Sequence, residues 1–365
     1  MIELRSDTFT LPTAAMRHAM VEAVVGDACY GEDPTVRELE ETAAERVGKQ
    51  AACLMPSGTM GNLAAVLAHV PRGSKVIAGA ESDIYLYEAG GVSMCGGALL
   101  APVPHLPDGR FVPDALAAEF PGDPDDPQFA LPALLCVENT QNRCGGVALP
   151  LDYLREVRAF AAARGVGVHL DGARLFNAEV ASGVPAADIA ATADSVQFCL
   201  SKGLSAPIGS MVAGSAEFVT RVRRVRKLLG GTMRQAGVVA AAGLIALREM
   251  TGRLAEDHAN ARRLAEHLAD IDGVDIDPGS VGTNIVLFRV LDERLTAAEF
   301  VAAAGRAGVA LTEFGHGRIR AVTHRGVIAA DIDRAADVLA TVLALPRGGE
   351  TGHEDPRPVR GGGQQ

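Results

Sequence analysis

The sequence predicts an α/β fold in which helices cover both faces of a mostly parallel sheet, followed by a smaller α+β domain. Between residues 51 and 201, short apolar segments alternate with helical ones, which is typical of parallel strands joined by helices. Beyond residue 214, a long helical stretch precedes a second, shorter group of strands and helices. The 365 residues, of which 48% are hydrophobic and 22% charged, suffice for a large core and a second small domain.

The first elements are an N-terminal arm and a capped helix. Residues 1–13 are predicted to be extended and to precede the large domain, which we place at residues 14–255. In that domain "DPTVRELEETAAERVG" predicts a helix, because Asp33 can cap its N-terminus and Pro34 suits its first turn. A strand "AACLMP", a turn "SGTMGN" and a helix "LAAVLAHV" follow.

Five further strands are predicted in the large domain, and two helical segments separate the last three. The strands are "KVIAG", "ALLAPV", "PALLCVEN", "GVGVHLDG" and "DSVQFCLS", and the helices are "LDYLREVRAFAAARG" and residues 185–192. In such sheets, ligands bind at the carboxyl ends of the strands. Lys202 follows directly after the last of these strands, so the sequence places it at the ligand-binding edge.

The remaining chain predicts a small domain and a tail. Over residues 256–345, "TNIVLFRV" and "RIRAVTH" are strand-like, and "TAAEFVAAAGRAG" and "DIDRAADVLATVLAL" are helical. Residues 346–365 contain almost no apolar side chains and are therefore predicted to be disordered.

Charge and composition exclude several classes of protein. A net charge of -11 argues against nucleic-acid binding, which needs a basic surface. No run of eighteen apolar residues occurs, and "MIELRSDTF" has charges where a signal peptide needs an apolar segment, so we expect a cytoplasmic protein without a membrane span. The six cysteines form no C-x-x-C pair, so we predict neither a metal site nor disulfide bonds.

Three short stretches at predicted strand ends carry the candidate chemistry. Ser57, Gly58 and Thr59 open a helix, where backbone N–H groups can bind an anion. Asp171 ends one strand, and Lys202 follows another. Each has an ordinary structural interpretation on its own: a strand-to-helix turn, an ion pair with a nearby arginine, and a lysine that reaches solvent.

The combination is more specific than its parts. A phosphate cradle, a carboxylate and a lysine on successive strand ends match the needs of pyridoxal phosphate (PLP). That cofactor needs a phosphate anchor, an acid facing its pyridinium nitrogen and a lysine for a Schiff base. A covalent bond to a cofactor would also explain why a lysine is carried to the end of a core strand.

The motifs of the chain resemble those of the low-specificity L-threonine aldolases, which are fold-type I PLP enzymes. The resemblance spans about residues 1–345 and includes "LRSDTFT", "YGEDPTV", "SGTMGNL", "YLYEAGG", "VENTQN", "HLDGARLFNA", "CLSKGLSAPIGS", "GGTMRQAG" and "RAVTH". It implies that the chain has the PLP-dependent transferase-like fold of that class. It also implies that the protein is a carbon–carbon lyase. Such an enzyme cleaves a β-hydroxy-α-amino acid of the threonine or allo-threonine type to glycine and an aldehyde.

The resemblance also implies roles for individual residues. Lys202 would form the Schiff base, and Asp171 would pair with the pyridinium nitrogen. The cofactor and its phosphate would also contact Ser57, Gly58, Thr59, Arg174, Ser201 and Arg234, and the substrate carboxylate would contact Ser6, Arg174 and Arg320.

Assembly of the family implies that sites are shared between subunits. Tyr30, implied to contact substrate, lies with Lys227 and Arg234 in motifs that family members place near the site, partly from a neighbouring subunit. We therefore expect a homodimer or homotetramer. For Lys227 a solvated helix face is the alternative interpretation, because "RVRRVRK" is a basic run.

The chain departs from the family where histidines are usual. Asp83 stands at the position of a histidine that stacks on the cofactor ring, Gln128 at that of a second histidine, and Gln141 follows Thr140 where another is usual. Asp83 either acts as the base for the β-hydroxyl proton or points to solvent on a shifted loop. Threonine as the natural substrate is therefore left open.

Two alternatives to the lyase also remain at this point. The same cofactor chemistry could support a racemase, a β-eliminating lyase or a transaldolase. The chain could also be a catalytically silent PLP-binding relative, although it retains Lys202, Asp171, Arg174 and Arg320.

Overall fold

The computed structural model describes residues 1–123, 125–293 and 295–344, so the predicted tail at 346–365 lies outside the described residues. The strands are β1 (Ile2–Glu3), β2 (Ala51–Met55), β3 (Lys75–Gly79), β4 (Leu99–Val103), β5 (Pro132–Glu138), β6 (Gly167–Asp171), β7 (Ser195–Cys199), β8 (Ser210–Gly214), β9 (Val274–Asp275), β10 (Ile285–Val290), β11 (Val309–Ala310), β12 (Thr312–Glu313) and β13 (Ile319–Val322).

The helices are α1 (Ala14–Val21), α2 (Pro34–Arg46), α3 (Gly58–His69), α4 (Asp83–Leu86), α5 (Gly91–Gly96), α6 (Pro113–Ala118), α7 (Leu151–Ala162), α8 (Leu175–Ser182), α9 (Ala186–Ala190), α10 (Ala216–Leu228), α11 (Gly237–Ile245), α12 (Leu254–Ala269), α13 (Ala297–Arg306) and α14 (Ala329–Ala344). Short 3₁₀ turns occur at Asp7–Phe9 and Pro278–Ser280, and a π-helical turn occurs at Ala246–Met250.

The large unit is built on a mainly parallel sheet, as the sequence predicts. Within the described residues it has seven strands in the order β2-β8-β7-β6-β5-β3-β4. All neighbours are parallel except those of β8, which is antiparallel to both β2 and β7. The strands β2, β3, β5, β6 and β7 therefore run in one direction, and their carboxyl ends lie at the same edge.

Helices cover both faces of this sheet, which confirms the predicted layering. In β3, Val76 and Ala78 pack in the apolar cluster that includes residues of α3 and α5. The intervening Ile77 packs in the cluster that includes residues of α7 and α8. Because successive side chains of a strand point to opposite faces, these two clusters lie on opposite sides of the sheet.

Helix α2 begins as the sequence predicts. The Asp33 side chain accepts a hydrogen bond from the Val36 backbone N–H, and Pro34 occupies the first turn. The buried face of α2 includes Val36, Leu39 and Ala43. This helix packs against β2 and α11, so its apolar face lies on the large core.

The sequence analysis missed the antiparallel strand β8. Before it, Gly209 adopts φ 111°, a conformation that favours glycine, and the chain reverses to run back beside β7. All five residues of β8 are buried. The motif "CLSKGLSAPIGS" was interpreted only as part of the site, so the strand that lies between β2 and β7 was not predicted.

The C-terminal unit is a small antiparallel sheet backed by helices, and it includes the start of the N-terminal arm. Its strand order is β12-β13-β10-β9 in the described part of the chain. Strand β1 pairs in parallel with β11, and Leu4 is buried in the same apolar cluster as residues of α12, α13 and α14. The first four residues therefore belong with the C-terminal unit. The predicted boundary after residue 255 stays a prediction.

No helix among the described residues is both long enough and apolar enough to cross a bilayer.

Candidate active site

A cavity of about 260 Å³ lies at the carboxyl ends of the parallel strands. The three stretches that the sequence singled out meet here: the start of α3, the end of β6 and the turn after β7. The lining residues from these stretches include Ser57, Gly58, Thr59, Asp171, Ser201 and Lys202.

The start of α3 forms the anion-binding wall of this cavity. Ser57 caps the helix, and its side chain accepts from the Met60 N–H. The N–H groups of Gly58 and Thr59 precede the first intrahelical hydrogen bond, so they can bind a ligand. A Cβ on Gly58 would come within 2.9 Å of Cys199 Sγ, so only glycine fits here without displacement.

Asp171 is buried and held by several donors. Its Oδ2 accepts from Asn62 Nδ2 at 2.8 Å, and its Oδ1 accepts from the Ala173 N–H at 3.1 Å. Gln197, with its amide nitrogen turned to the carboxylate, donates to Oδ1 at 3.1 Å. Burial and the Asp83 charge raise the pKa of Asp171 to about 6. A cation in the cavity would offset both effects.

Lys202 lies on a turn that the N-terminal arm supports. The Lys202 carbonyl accepts hydrogen bonds from Thr10 Oγ1 at 2.8 Å and from the Ser205 N–H at 2.9 Å. The side chain is partly buried and lines the cavity together with Asp171. These contacts fix the backbone and leave the amine among the cavity-lining groups.

Asp83 lines the same cavity. Its Oδ1 accepts from Asn142 Nδ2 at 3.1 Å, and the Asn142 side-chain oxygen, Oδ1, accepts from Arg320 Nη1 at 2.9 Å. The Asp83 N–H donates to Glu138 Oε2 at 2.6 Å, which fixes the first turn of α4. The structure therefore places Asp83 against the cavity and not on an outward-turned loop.

The two glutamines do not line this cavity. Gln128 is exposed and bonds to Asp126. Gln141 is buried and braces its own loop, since it donates to the Glu81 carbonyl at 2.9 Å and accepts from the Cys144 N–H at 2.7 Å.

Two further carboxyl groups at the site were missed by the sequence analysis. Glu138 ends β5, and Glu88 lies within the quoted motif "YLYEAGG" and lines the cavity. Burial raises the pKa of both groups well above the ordinary value, and the Asp171 charge raises them further. Among the residues that the structure describes, Glu88 Oε2 is buried without a hydrogen-bond partner. Glu88 lies within the motif "YLYEAGG" and Glu138 within "VENTQN", and these positions were the sequence signal that could have identified both residues.

The arginines differ in how much of each guanidinium is free. Arg174 donates from Nε and Nη2 to both carboxylate oxygens of the buried Asp7, each at 2.7 Å. Arg320 donates to Asn142 and to the Arg5 carbonyl and stacks over the Phe314 ring at 4.3 Å. In the described part of the chain, its buried Nε has no partner. Burial lowers the pKa of Arg320 to about 10, so it remains charged at neutral pH.

The remaining predicted residues lie elsewhere on the chain. Ser6 accepts from the Thr8 N–H beside Asp7. Tyr30 and Lys227 line a second surface cavity of about 640 Å³, and Arg234 pairs with Asp27 at 3.0 Å. One chain alone therefore does not bring Tyr30, Lys227 or Arg234 into the cavity of Lys202.

The cavity fits PLP on its own chemistry. It offers a glycine-dependent anion cradle, a buried carboxylate that needs a cation and a lysine amine. It also holds a buried carboxyl oxygen that lacks a partner within the described residues. The first three match the phosphate, the ring nitrogen and the aldehyde of the cofactor.

Comparison with known proteins identifies the family of the chain. Residues 3–291 match the family model of the beta-eliminating lyases, so the chain belongs to that family. Low-specificity L-threonine aldolase 1 from Arabidopsis thaliana is 43% identical over 333 residues, which cover 91% of this chain and 93% of the relative. Within the family, the chain therefore belongs with the low-specificity L-threonine aldolases, as its motifs predict.

Solved structures confirm the fold class. The threonine aldolase from Leishmania major superposes with a TM-score of 0.77 at 19% identity, covering 94% of this chain and 100% of that one. A variant of serine palmitoyltransferase from S. paucimobilis, solved with PLP and myriocin, gives 0.73 at 20% identity, with 93% and 87% covered. Both share the architecture of fold-type I PLP enzymes. At these identities the likeness concerns the fold.

Proposed function

We propose that this protein is a PLP-dependent aldehyde-lyase that cleaves threonine-type β-hydroxy-α-amino acids to glycine and an aldehyde. The observation that carries the proposal is the single cavity shared by the α3 cradle, Asp171 and Lys202. Membership among the low-specificity L-threonine aldolases gives the reaction type. When bound, PLP supplies an aldehyde for an amine and a ring that accepts the electron pair of the breaking Cα–Cβ bond.

Six residues are assigned to holding the cofactor. Lys202 supplies the amine that carries it between turnovers. Asp171 would pair with the ring nitrogen and keep a proton on it, which would increase the electron demand of the ring. The N–H groups of Gly58 and Thr59 and the hydroxyl of Ser201 receive the phosphate, and Ser57 fixes the helix end that presents them.

Arg320 is assigned to the substrate carboxylate. Its buried Nε lacks a partner among the described residues, and its charge persists at neutral pH. Ser6 and Arg174 remain in the proposal as further contacts. However, Asp7 already occupies Nε and Nη2 of Arg174, which leaves Nη1 as the nitrogen available to a ligand. Arg174 therefore contributes charge and one donor, and not a two-pronged fork.

Asp83 is assigned as the base that removes the proton from the β-hydroxyl group of the substrate. Its carboxylate lines the cavity and is held by Asn142, which Arg320 holds in turn. Asn142 therefore links Asp83, the proposed base, to Arg320, the proposed carboxylate-binding residue. Such a link suits a substrate whose carboxylate and hydroxyl groups must be held in a fixed relative position. The family usually has a histidine at this position, whose imidazole stacks on the cofactor ring. The carboxyl group of Asp83 can accept a hydrogen bond or carry a proton instead.

The proposal also includes an oligomer in which neighbouring subunits complete each other's active sites. Tyr30, Lys227 and Arg234 are assigned to the site of a neighbouring subunit, because one chain leaves them outside the Lys202 cavity. The exposed apolar side chains Val21, Val24, Tyr30 and Leu228 favour burial against a second copy. A homodimer or homotetramer in the cytoplasm stays a prediction.

Product analysis tests the proposed reaction. The holoenzyme is incubated with a panel of β-hydroxy-α-amino acids, including L-threonine and L-allo-threonine. Glycine and aldehyde in equal amounts are the expected products. A D-amino acid would indicate racemisation, and ammonia with a keto acid would indicate β-elimination. Either result as the main outcome would overturn the proposal.

A further inference from the structure

A line of hydrogen bonds leads from Asp171 to the opposite end of the sheet. The Asn62 side-chain NH₂ group donates to Asp171, and the Asn62 side-chain oxygen, Oδ1, lies 3.1 Å from His169 Nε2. His169 Nδ1 lies 2.8 Å from Ser195 Oγ, which lies 2.7 Å from His69 Nε2. His69 lines a cavity of about 480 Å³ at the amino ends of the strands. No step of the proposed reaction uses either histidine.

The fold aligns these residues along one contact between a helix and the sheet. Asn62 and His69 are seven residues apart on α3, which places them on one helix face two turns apart. His169 and Ser195 face each other as register partners on β6 and β7. Asp171, two residues after His169, points to the same face of the sheet. The line is therefore a product of α3 packing on this part of the sheet.

The orientation of the Asn62 amide follows from its neighbours. Its Nδ2 lies 2.8 Å from Asp171 Oδ2 and 2.8 Å from Glu88 Oε1. Asp171, whose pKa is about 6, is ionised at pH 7, and ionised carboxylate oxygens only accept hydrogen bonds, so the Asn62 NH₂ group has to face Asp171. The second hydrogen of the same NH₂ group then points to Glu88 Oε1. The Asn62 side-chain oxygen, Oδ1, then faces His169, so the hydrogen on that side has to come from His169 Nε2.

This orientation fixes the tautomers of both histidines. Burial lowers the pKa of His169 to about 3 and that of His69 to about 4, so both rings are neutral near pH 7. With its hydrogen on Nε2, His169 accepts at Nδ1 from the Ser195 hydroxyl. Ser195 Oγ in turn accepts from His69 Nε2–H. Every hydrogen bond in the line then has one donor and one acceptor.

We propose that His169 is a positioning residue for the cofactor carboxylate: its Nε2–H donates to the side-chain oxygen of Asn62, while Ser195, backed by His69, satisfies its Nδ1. It acts through Asn62, whose NH₂ group holds the Asp171 and Glu88 carboxyls side by side. The role of Asp171 toward PLP rests on the proposed function; the tautomer and the Asn62 orientation do not.

The physical effect is to keep a side-chain donor on Asp171 Oδ2. If the Asn62 amide turned over, its oxygen would face two carboxyl groups, and Asp171 Oδ2 would lose its side-chain donor. Hydrogen bonds to a charged group are the stronger class, so this loss should weaken the pairing with the ring nitrogen. The expected consequence is weaker retention of PLP.

A matched pair of substitutions separates positioning from volume. In His169→Gln, the longer amide can place an N–H near the position of Nε2 and still donate to Asn62. In His169→Asn, the shorter amide reaches the Ser195 side only. We measure PLP retained by the holoenzyme after dialysis against a series of PLP concentrations. His169→Asn should weaken PLP binding about ten- to hundred-fold, and His169→Gln should stay within about threefold of wild type.

Two results of this comparison would overturn the proposal. The first is wild-type retention of PLP by His169→Asn. The second is equal weakening in both variants, because that would assign the effect to lost packing. Asn62→Leu, which removes the amide at similar volume, should match His169→Asn. If wild-type protein failed to hold PLP, the proposed function would fail instead.

Nitrogen-15 spectra of wild-type protein with labelled histidine test the tautomer without any variant. His169 should show a protonated Nε2 and an unprotonated Nδ1, and should not gain a second proton down to pH 5. A hydrogen on Nδ1, or an imidazolium at neutral pH, would overturn the proposal. This measurement stands even if the His169 variants fail to fold.

Discussion

Removing the charge of Asp7 from its buried ion pair with Arg174 is expected to destabilise the fold by several kcal/mol, and Asp7→Asn tests this. Asp7 has no exposed surface, and Arg174 donates to both of its oxygens at 2.7 Å. Asparagine keeps the shape of the side chain and removes its charge. Removing one partner of such a pair costs about 3–5 kcal/mol, because the other charge stays buried without compensation.

The expected shift follows from the size of the chain. For 365 residues, the entropy of unfolding is about 0.8 kcal/mol/K near 60 °C. A loss of 3–5 kcal/mol therefore lowers Tm by about 4–6 °C. Scanning calorimetry at pH 7 measures it. Asp152→Asn is the matched control: Asp152 pairs with Arg155 on the surface, and exposed pairs contribute little.

The pH dependence checks the cause of that shift. Burial alone would raise the pKa of Asp7, but Arg174, Lys202 and Asn284 outweigh it and hold the pKa well below its ordinary value. A carboxyl whose pKa is lowered by folding stabilises the fold above its unfolded pKa of about 3.9. The gap in Tm should therefore be constant from about pH 8 to pH 5 and shrink below about pH 4. A gap under about 2 °C at pH 7, or one unchanged at pH 3, would refute the reasoning.

Three further predictions concern the site. Asp83→Asn should lower turnover of the best substrate about a hundred-fold or more, and Asp83→His should raise cleavage of threonine; steady-state assays showing small changes in both would remove Asp83 from the reaction. Gly58→Ala should weaken PLP binding, because its Cβ would lie 2.9 Å from Cys199 Sγ; wild-type affinity in an equilibrium titration would contradict the cradle. Light scattering should show at least a dimer, and Arg234→Ala should impair PLP binding in it; a monomer active at dilute concentration would rule out shared sites.

The features of this fold that depend on residues close together in the sequence could be predicted. Asp33 caps α2 because the cap, the proline and the apolar face are all within one short segment. The strands β2, β3, β5, β6 and β7 are short buried segments bounded by turn residues, so their order along the chain indicates a mostly parallel sheet. The edge at which Ser57, Asp171 and Lys202 meet follows from that topology.

What the sequence could not give depends on contacts between distant residues. Asp7 and Arg174 are 167 positions apart, and nothing local to "HLDGAR" distinguishes Asp7 as the partner. Leu4 joins the C-terminal core only because β1 pairs with β11. Asn62 and Glu88 are ordinary helix and loop residues in the sequence, and their importance appears only when both lie beside Asp171.

The identity of the lysine that carries the cofactor tests the central claim most directly. The holoenzyme is reduced with borohydride, which makes the bond between PLP and its lysine permanent, and the labelled peptide is identified by mass spectrometry. One labelled site at Lys202 is predicted, and Lys202→Ala should lose both the label and the turnover. A label on any other lysine, or unchanged label and turnover in Lys202→Ala, would contradict the assignment of the whole site.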